Sequence, residues 1–255
     1  MYFNNNELID KNDAIDENYS RKENNKSVAI FLIYFFITLI ANVVLLVILK
    51  ANPNLNNSVT EFYVSTGLNL AVAICLVILL KKALKNDLEQ FRSQKLKSFG
   101  KIVSGMVMIY VTLLIVQNII LLINKEQLGS DNEEYISKLF TKDYLRLTIL
   151  FFDLVVLAPF VEELVFRKAI FGLFGNVKNK IYPILASGFI FGIMHIMINP
   201  SEYLQSIPYI AMGLVLGFTY YRSNENIYIN VGIHMLNNLI SYVSYLLLVF
   251  GLISL

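Results

Sequence analysis

Residues 154–171 read LVVLAPFVEELVFRKAIF, an apolar stretch that is interrupted by two glutamates, an arginine and a lysine. The stretch lies within the apolar run 147–174, and a run of roughly 18 to 25 such residues crosses the ~30 Å hydrocarbon core of a bilayer as a helix. Six further runs are found at 27–49, 62–80, 102–123, 181–198, 203–221 and 227–255. Because the runs are continuous rather than alternating, they predict helices and not a barrel. We expect an all-α, polytopic membrane helix bundle with seven spans.

The composition of the chain supports the same class. Hydrophobic residues make up 56% and charged residues 16% of the 255 residues, and the mean hydropathy is +0.58, which is too apolar for a soluble domain. The net charge of +2, without a basic stripe interleaved with aromatics, argues against a nucleic-acid partner. Cys75 is the only cysteine, so the chain forms neither an internal disulfide nor a cysteine metal cage.

The chain divides into a tail and one membrane domain. Residues 1–26 are polar and contain no signal-peptide pattern, which predicts a disordered cytoplasmic tail. Residues 27–255 form the membrane domain, in which 27–123 are generic spans and 147–255 carry all the motifs. The segment between the second and third runs holds seven basic residues against Asp87 and Glu89, so it is expected to lie in the cytoplasm together with the N-terminus. Abundant Asn, Lys and Ile are typical of AT-rich coding, which favours a bacterial plasma membrane.

Two glutamates occupy the middle of the fourth run. Each ionised carboxylate costs roughly 2.5 to 3.5 kcal/mol to insert, so a compensating partner is required. Glu163 and Arg167 are four residues apart with the acid first, the favourable order for an ion pair on one helix face. Such a pair is also typical of a purely structural contact. Glu162 lies ~100° around the helix from Glu163, so it is the less well paired carboxylate and the better candidate for a general base.

The only two histidines also lie in apolar runs. Asn238 follows His234 by four residues, so both side chains point from one helix face toward a shared group such as a developing oxyanion. Phe191 precedes His195 by four residues and is expected to pack beside its ring. A single histidine in a membrane helix is more often a hydrogen-bonding residue between helices than a catalyst. It is the clustering of glutamate, histidine and asparagine in the last four runs that favours a catalytic site.

Two pairs of glycines indicate how these helices come together. Gly188 with Gly192, and Gly213 with Gly217, match the spacing that lets membrane helices approach closely. These pairs allow the close helix approach that the convergence of three polar helices would need.

Three short motifs carry a family resemblance. They are EExxxR at Glu162, Glu163 and Arg167, FxxxH at Phe191 and His195, and HxxxN at His234 and Asn238. In this order and spacing the chain resembles the CPBP family of intramembrane proteases, which comprises CAAX prenyl proteases, bacteriocin-processing enzymes and abortive-infection-like proteins. The resemblance covers the chain from residue 147 onward. Several members of that family have eight spans, against the seven found here.

The resemblance also implies catalytic roles. Glu162 with His195 would activate a water molecule, while His234 with Asn238 would stabilise the oxyanion of the peptide bond being cleaved. Glu163 and Arg167 would position the glutamate helix, and no cofactor would be required. The competing chemistry is a zinc site with Glu162, His195 and His234 as ligands and one open position, although the usual HExxH spacing is absent.

These observations favour an intramembrane endopeptidase that cleaves membrane-associated peptides or proteins, such as bacteriocin or signalling precursors. The expected partners are a peptide substrate in the membrane and the lipid bilayer; the sequence carries no signal for an oligomeric state. The first alternative is a catalytically silent scaffold or bacteriocin immunity protein of the same fold. The second is a transporter or proton relay, because intramembrane Glu and His also mark such pathways.

Overall fold

The structure is a computed structural model that describes residues 5–52, 57–124, 131–175, 177–196 and 200–253. Throughout these residues the regular structure is helical and contains no strand, as the continuous apolar runs predict. Three long helices come first: α1 spans Asn5–Ala51, α2 spans Asn57–Ser93 and α3 spans Lys95–Asn124. Because α1 begins at Asn5, it includes residues 5–26, while the division of the chain into a tail and a membrane domain stays a prediction. Once a helix is nucleated, each added residue gains a backbone hydrogen bond, so polar residues can extend it.

The fourth apolar run forms a helix of mixed type. After α4 (Asp131–Leu139) the chain is helical from 144 to 173 as α5 (Tyr144–Leu150), a first π-helical segment (Phe151–Leu157), α6 (Ala158–Glu163), a second π-helical segment (Leu164–Ala169) and α7 (Ile170–Leu173). We call residues 144–173 the glutamate helix. Sequence analysis predicts one span over 147–174; the two π-helical segments that flank the glutamates were not predicted.

Three more helices complete the bundle. They are α8 (Ile181–His195), α9 (Ser206–Arg222), which follows a 3₁₀ turn at Pro200–Gln205, and α10 (Ile227–Val249). Each of the seven predicted runs therefore contains a helix. Among the described residues, four helices are long and apolar enough to cross a membrane by length and composition: the part of α1 from Asn25, α2 from Ser58, α3 and α10.

The outer surface of the bundle is apolar. Phe35, Ile78 and Leu114 on the first three helices are 62%, 72% and 63% exposed, and many neighbouring large side chains are exposed as well. A soluble protein does not present so large a continuous apolar surface. The surface is therefore suited to contact with lipid chains, and the chain is an integral membrane protein.

Close packing of α8 on α9 follows from the predicted glycine pairs. A Cβ on Gly188 would come within 2.9 Å of the backbone nitrogen of Leu214, and one on Gly192 within 2.8 Å of that of Ile210. A Cβ on Gly213 would likewise meet the backbone of Gly188 at 3.0 Å. The glycine pairs thus lie where α8 and α9 approach each other closely.

Pro159 explains one polar contact inside the bundle. The amide N–H of Ala158 donates to Asp153 O in the π pattern, and proline has no N–H. The carbonyl of Leu154 therefore lacks both the i+4 and the i+5 backbone donor. Asn238 Nδ2 donates to this oxygen at 2.8 Å, so α10 supplies a hydrogen bond that the proline removes from the glutamate helix.

Candidate active site

Glu163 is the centre of a buried polar cluster. Its side chain has no exposed surface, and its Oε2 lies 3.0 Å from Arg167 Nε. Its other oxygen, Oε1, lies 3.0 Å from His234 Nδ1. The ion pair predicted from the four-residue spacing is therefore present, and it also includes a histidine from α10.

Arg167 is held by two neighbours besides Glu163. The guanidinium Nη1 donates to Ser187 Oγ on α8 at 2.9 Å. The group also lies over the ring of Phe191 at 5.0 Å from the centroid, a cation–π contact that is strong where water is excluded. Phe191 thus stabilises the arginine as well as packing beside His195, with ring centroids 4.5 Å apart.

Asn230 is the third residue that contacts the carboxylate of Glu163. Its Nδ2 donates to Glu163 Oε2 at 3.2 Å and to the backbone oxygen of Leu216 on α9 at 2.7 Å. Its Oδ1 accepts from Thr219 Oγ1 at 3.4 Å. Sequence analysis missed this residue, although the signal was present: Asn230 precedes His234 by four residues, as Asn238 follows it by four, so all three share one face of α10.

Glu162 differs from its neighbour in exposure and in pairing. Its side chain is 24% exposed, and its Oε2 lies 3.7 Å from His234 Nε2, which is beyond hydrogen-bond distance. Glu162 is therefore the less well paired carboxylate of the two, as its position on the helix predicts. A partly accessible carboxylate beside an imidazole can exchange a proton with a water molecule.

His195 is held at the end of α8 by its own helix and by one ring from α9. Its Nδ1 lies 2.8 Å from the backbone oxygen of Phe191, and a carbonyl only accepts hydrogen bonds, so the hydrogen sits on Nδ1. Its ring is stacked on that of Tyr209 at 4.3 Å and 18°. Nε2 is left as the acceptor in the neutral ring. Tyr209 carries no motif, and no pattern in the sequence pointed to it.

The structure brings several of the predicted site residues into contact, and it gives Asn238 a hydrogen-bond partner outside this group. Glu162, Glu163 and His234 are in mutual contact, and the ring of Phe191 touches both histidines, at 4.5 Å from His195 and 5.9 Å from His234. Asn238 instead donates one amide hydrogen to Leu154 O, so only its second hydrogen is available for a group shared with His234.

A zinc site would require Glu162, His195 and His234 to converge on one ion. In the described part of the chain, no group of three or more His, Cys, Asp and Glu side chains is arranged as a metal cage.

A second polar cluster ties the glutamate helix to its neighbours at one end of the bundle. Lys168 Nζ lies 2.6 Å from Asp87 Oδ2 on α2, and the same oxygen accepts from the backbone nitrogen of Ile227 at 3.3 Å. Asn226 caps α10 by accepting from Tyr228 N at 3.1 Å. The carboxylate of Asp87 thus links three elements that carry or adjoin the candidate site.

Comparison with known proteins supports the resemblance indicated by the motifs. Residues 144–240 match the family model described as Type II CAAX prenyl endopeptidase Rce1-like. A protein of Bacillus subtilis strain 168 with the name "Putative membrane peptidase YdiL" is 32% identical over 83 residues. That alignment covers 32% of this chain and 32% of the relative, so the chain matches about a third of the relative's length. No solved structure matches the chain significantly.

Proposed function

We propose that this protein is an intramembrane endopeptidase that cleaves membrane-associated peptides. The family match of residues 144–240, to a model of CAAX-type membrane proteases, supports this proposal. The observation that carries the proposal is the contrast between the two adjacent glutamates. Glu163 is fully buried and bound by Arg167, Asn230 and His234. Glu162 is partly accessible beside the same histidine, which is the arrangement that a general base requires.

Glu162 acts as the proton acceptor. A water molecule attacks the carbonyl carbon of the scissile peptide, its proton passes to the Glu162 carboxylate, and a tetrahedral oxyanion forms. The resulting carboxylic acid then returns a proton to the leaving amine as the C–N bond breaks. Water oxygen is thereby incorporated into the new carboxylate, and Glu162 is regenerated without a covalent intermediate.

His195 assists Glu162 through its free nitrogen. Since Nδ1–H donates to Phe191 O, Nε2 presents a lone pair that can accept a hydrogen bond from the same water. Stacking on Tyr209 fixes the plane of the ring and hence the direction of that lone pair. The histidine therefore orients the nucleophile, with the carboxylate taking the proton.

His234 takes the opposite role to His195, because it donates a hydrogen bond in the reaction instead of accepting one. Its Nδ1–H is engaged with Glu163, so Nε2 carries a hydrogen only when the ring is the imidazolium. In that state Nε2–H, together with the second amide hydrogen of Asn238, stabilises the oxyanion.

The substrate class follows from where the site is. The polar cluster lies on apolar helices whose outer surfaces suit lipid, so a substrate reaches it from the membrane or its surface. The substrate is a peptide or protein with an apolar, membrane-associated segment, such as a bacteriocin or signalling precursor in a bacterial plasma membrane. The N-terminus of the protease lies in the cytoplasm.

The decisive experiment compares three forms of the full-length protein in cells and in vesicles. Glu162→Gln keeps the shape of the side chain and removes its basicity, and a loss of about 10²-fold to 10⁴-fold in cleavage is expected. Phe152→Leu on the exposed outer face of the same helix is the matched control and should leave cleavage unchanged. The membrane peptides that accumulate in each strain are compared by mass spectrometry.

A peptide that shortens in the wild type and the control, but stays long with Glu162→Gln, identifies the substrate. If the Glu162→Gln strain processes its peptides as the wild type does, the protease assignment is wrong. If the variant also supports the protein's biological role by complementation, the scaffold or immunity function replaces it. Proton flux across vesicles that depends on Glu162 without any cleavage would instead favour a relay.

A further inference from the structure

A polar pocket at the lysine-rich end of the bundle lies apart from the candidate active site. It has a volume of about 80 Å³ and is lined by side chains from the α2–α3 junction and the α9–α10 junction, among them Gln90, Gln94, Lys97, Lys101 and Asn226. A single water needs only ~10–15 Å³. The pocket is therefore large enough for an anion of phosphate size with part of its hydration.

The charges around this pocket are positive and unbalanced. Lys97 and Lys101 are four residues apart on one face of α3, and both line it. The positive charges of Lys97 and Arg222 repel that of Lys101. Within the described ranges of the chain, none of these three cations has a carboxylate within ion-pair distance. Crowding three uncompensated cations costs free energy that a bound anion would recover.

The acids nearest in sequence are paired elsewhere. Glu89 lies 3.8 Å from Lys85, and Asp87 lies 2.6 Å from Lys168. Glu225 lies 3.9 Å from Lys180. No acidic side chain is among the residues that line the pocket, so the fold separates these carboxylates from the lysine pair.

The neutral side chains of the pocket offer donors. Asn226 Nδ2 donates to Gln90 Oε1 at 2.8 Å, which occupies the acceptor oxygen of that amide. The two amide hydrogens of Gln90 remain to donate, as do the ammonium hydrogens of the lysines. The pocket combines two full charges with amide donors, the chemistry that recognises a phosphate group.

We propose that this pocket binds the phosphate of an anionic phospholipid headgroup. Phosphate is the chemistry that the donors recognise, and the lipid is favoured because the pocket lies where α2 ends, α3 begins, α9 ends and α10 begins. Those ends are where apolar spans give way to the headgroup layer, and basic pockets between membrane helices are suited to such headgroups. Asn226 lines the pocket and caps α10, so the bound lipid also braces the helix that carries His234.

The test measures binding of phosphatidylglycerol to the full-length protein, which is placed in phosphatidylcholine vesicles with and without that lipid. The readouts are the midpoint of thermal unfolding and the retention of phosphatidylglycerol in native mass spectrometry. For Lys97→Gln/Lys101→Gln, affinity for phosphatidylglycerol is expected to fall roughly thirtyfold. The charge-preserving Lys97→Arg/Lys101→Arg should retain the wild-type response, which shows that charge and not helix shape is measured.

Lys81→Gln/Lys82→Gln is the matched control, because it removes the same charge from exposed residues of α2 outside the pocket. Its affinity should change less than threefold. Equal losses in the two glutamine variants, or a wild-type response from Lys97→Gln/Lys101→Gln, would overturn the proposal. In a further arm, soluble glycerol phosphate is added to phosphatidylcholine vesicles; stabilisation there that depends on Lys97 and Lys101 supports the phosphate site and assigns it to a soluble ester.

Discussion

Nδ1 of His234 lies 3.0 Å from Oε1 of Glu163, so the histidine of α10 is bound to the carboxylate that has no contact with solvent. This contact fixes which nitrogen of the imidazole faces the neighbouring glutamate, Glu162. It also joins two of the three motifs into one rigid unit. The division of labour that we propose for the two adjacent glutamates, one structural and one chemical, depends on it.

The first prediction concerns the buried ion pair. Glu163→Gln leaves Arg167 buried without a countercharge, and we expect it to lower the free energy of unfolding by about 3–5 kcal/mol. Adding Arg167→Met to Glu163→Gln should restore part of that loss, since no unpaired charge remains. Chemical unfolding in detergent of the two single variants and the double variant gives the coupling energy. Additive effects of the two substitutions would contradict the ion pair.

Asn230 provides the second prediction. Asn230→Asp would set a second carboxylate 3.2 Å from Glu163 Oε2 and would remove both donated hydrogen bonds, whereas Asn230→Ala removes only the bonds. We therefore expect the aspartate variant to be the less stable of the two, with the alanine variant losing about 1–3 kcal/mol. Thermal unfolding ranks them. An aspartate variant as stable as the wild type would show that Asn230 does not contact Glu163.

The third prediction tests the role of Pro159. Asn238→Ala leaves the carbonyl of Leu154 without its donor, which should cost about 1–3 kcal/mol of stability. In a Pro159→Ala background the restored N–H can donate to that carbonyl, so the cost of Asn238→Ala should become smaller. A double-mutant cycle on unfolding measures the difference. Equal costs in both backgrounds would mean that the proline does not set this contact.

The fourth prediction concerns helix contact. Gly192→Ala places a Cβ 2.8 Å from the backbone nitrogen of Ile210, so α8 must move away from α9 and carry His195 with it. We expect lower stability and reduced cleavage. Gly67→Ala is the control, because a Cβ there meets nothing within 4 Å and alanine is favoured by about 1 kcal/mol in a helix. A Gly192→Ala protein as active and stable as Gly67→Ala would contradict this packing.

The fifth prediction concerns metal. In the proposed mechanism the proton acceptor is Glu162 itself, so exhaustive treatment with a zinc chelator should leave peptide cleavage unchanged after dialysis. The measurement is the cleavage rate before and after treatment, with metal content determined on the same sample. Loss of activity that only added zinc restores would establish the alternative with Glu162, His195 and His234 as ligands.

The all-α membrane fold could be predicted from the sequence. The length and continuity of the apolar runs determine membrane helices, because the bilayer requires every backbone polar group to be satisfied within the helix. The Glu163–Arg167 pair could be predicted because it is local, set by the four-residue repeat of one helix. Close helix approach at the glycine pairs could be indicated for a similar local reason, since it depends on the absence of a side chain on one helix face.

Only the tertiary structure decided which residues from different helices meet. His234 is 71 residues from Glu163, and no local pattern states that its Nδ1 faces that carboxylate rather than the next one. Asn230, Ser187 and Tyr209 became part of the site because α8, α9 and α10 converge there, and convergence depends on packing between distant segments. The carbonyl of Leu154 in the first π-helical segment gains its donor in the same way, from the Asn238 side chain of α10. Sequence therefore determined the lipid-embedded helices and their polar residues, while the assembled bundle decided the partners of each one.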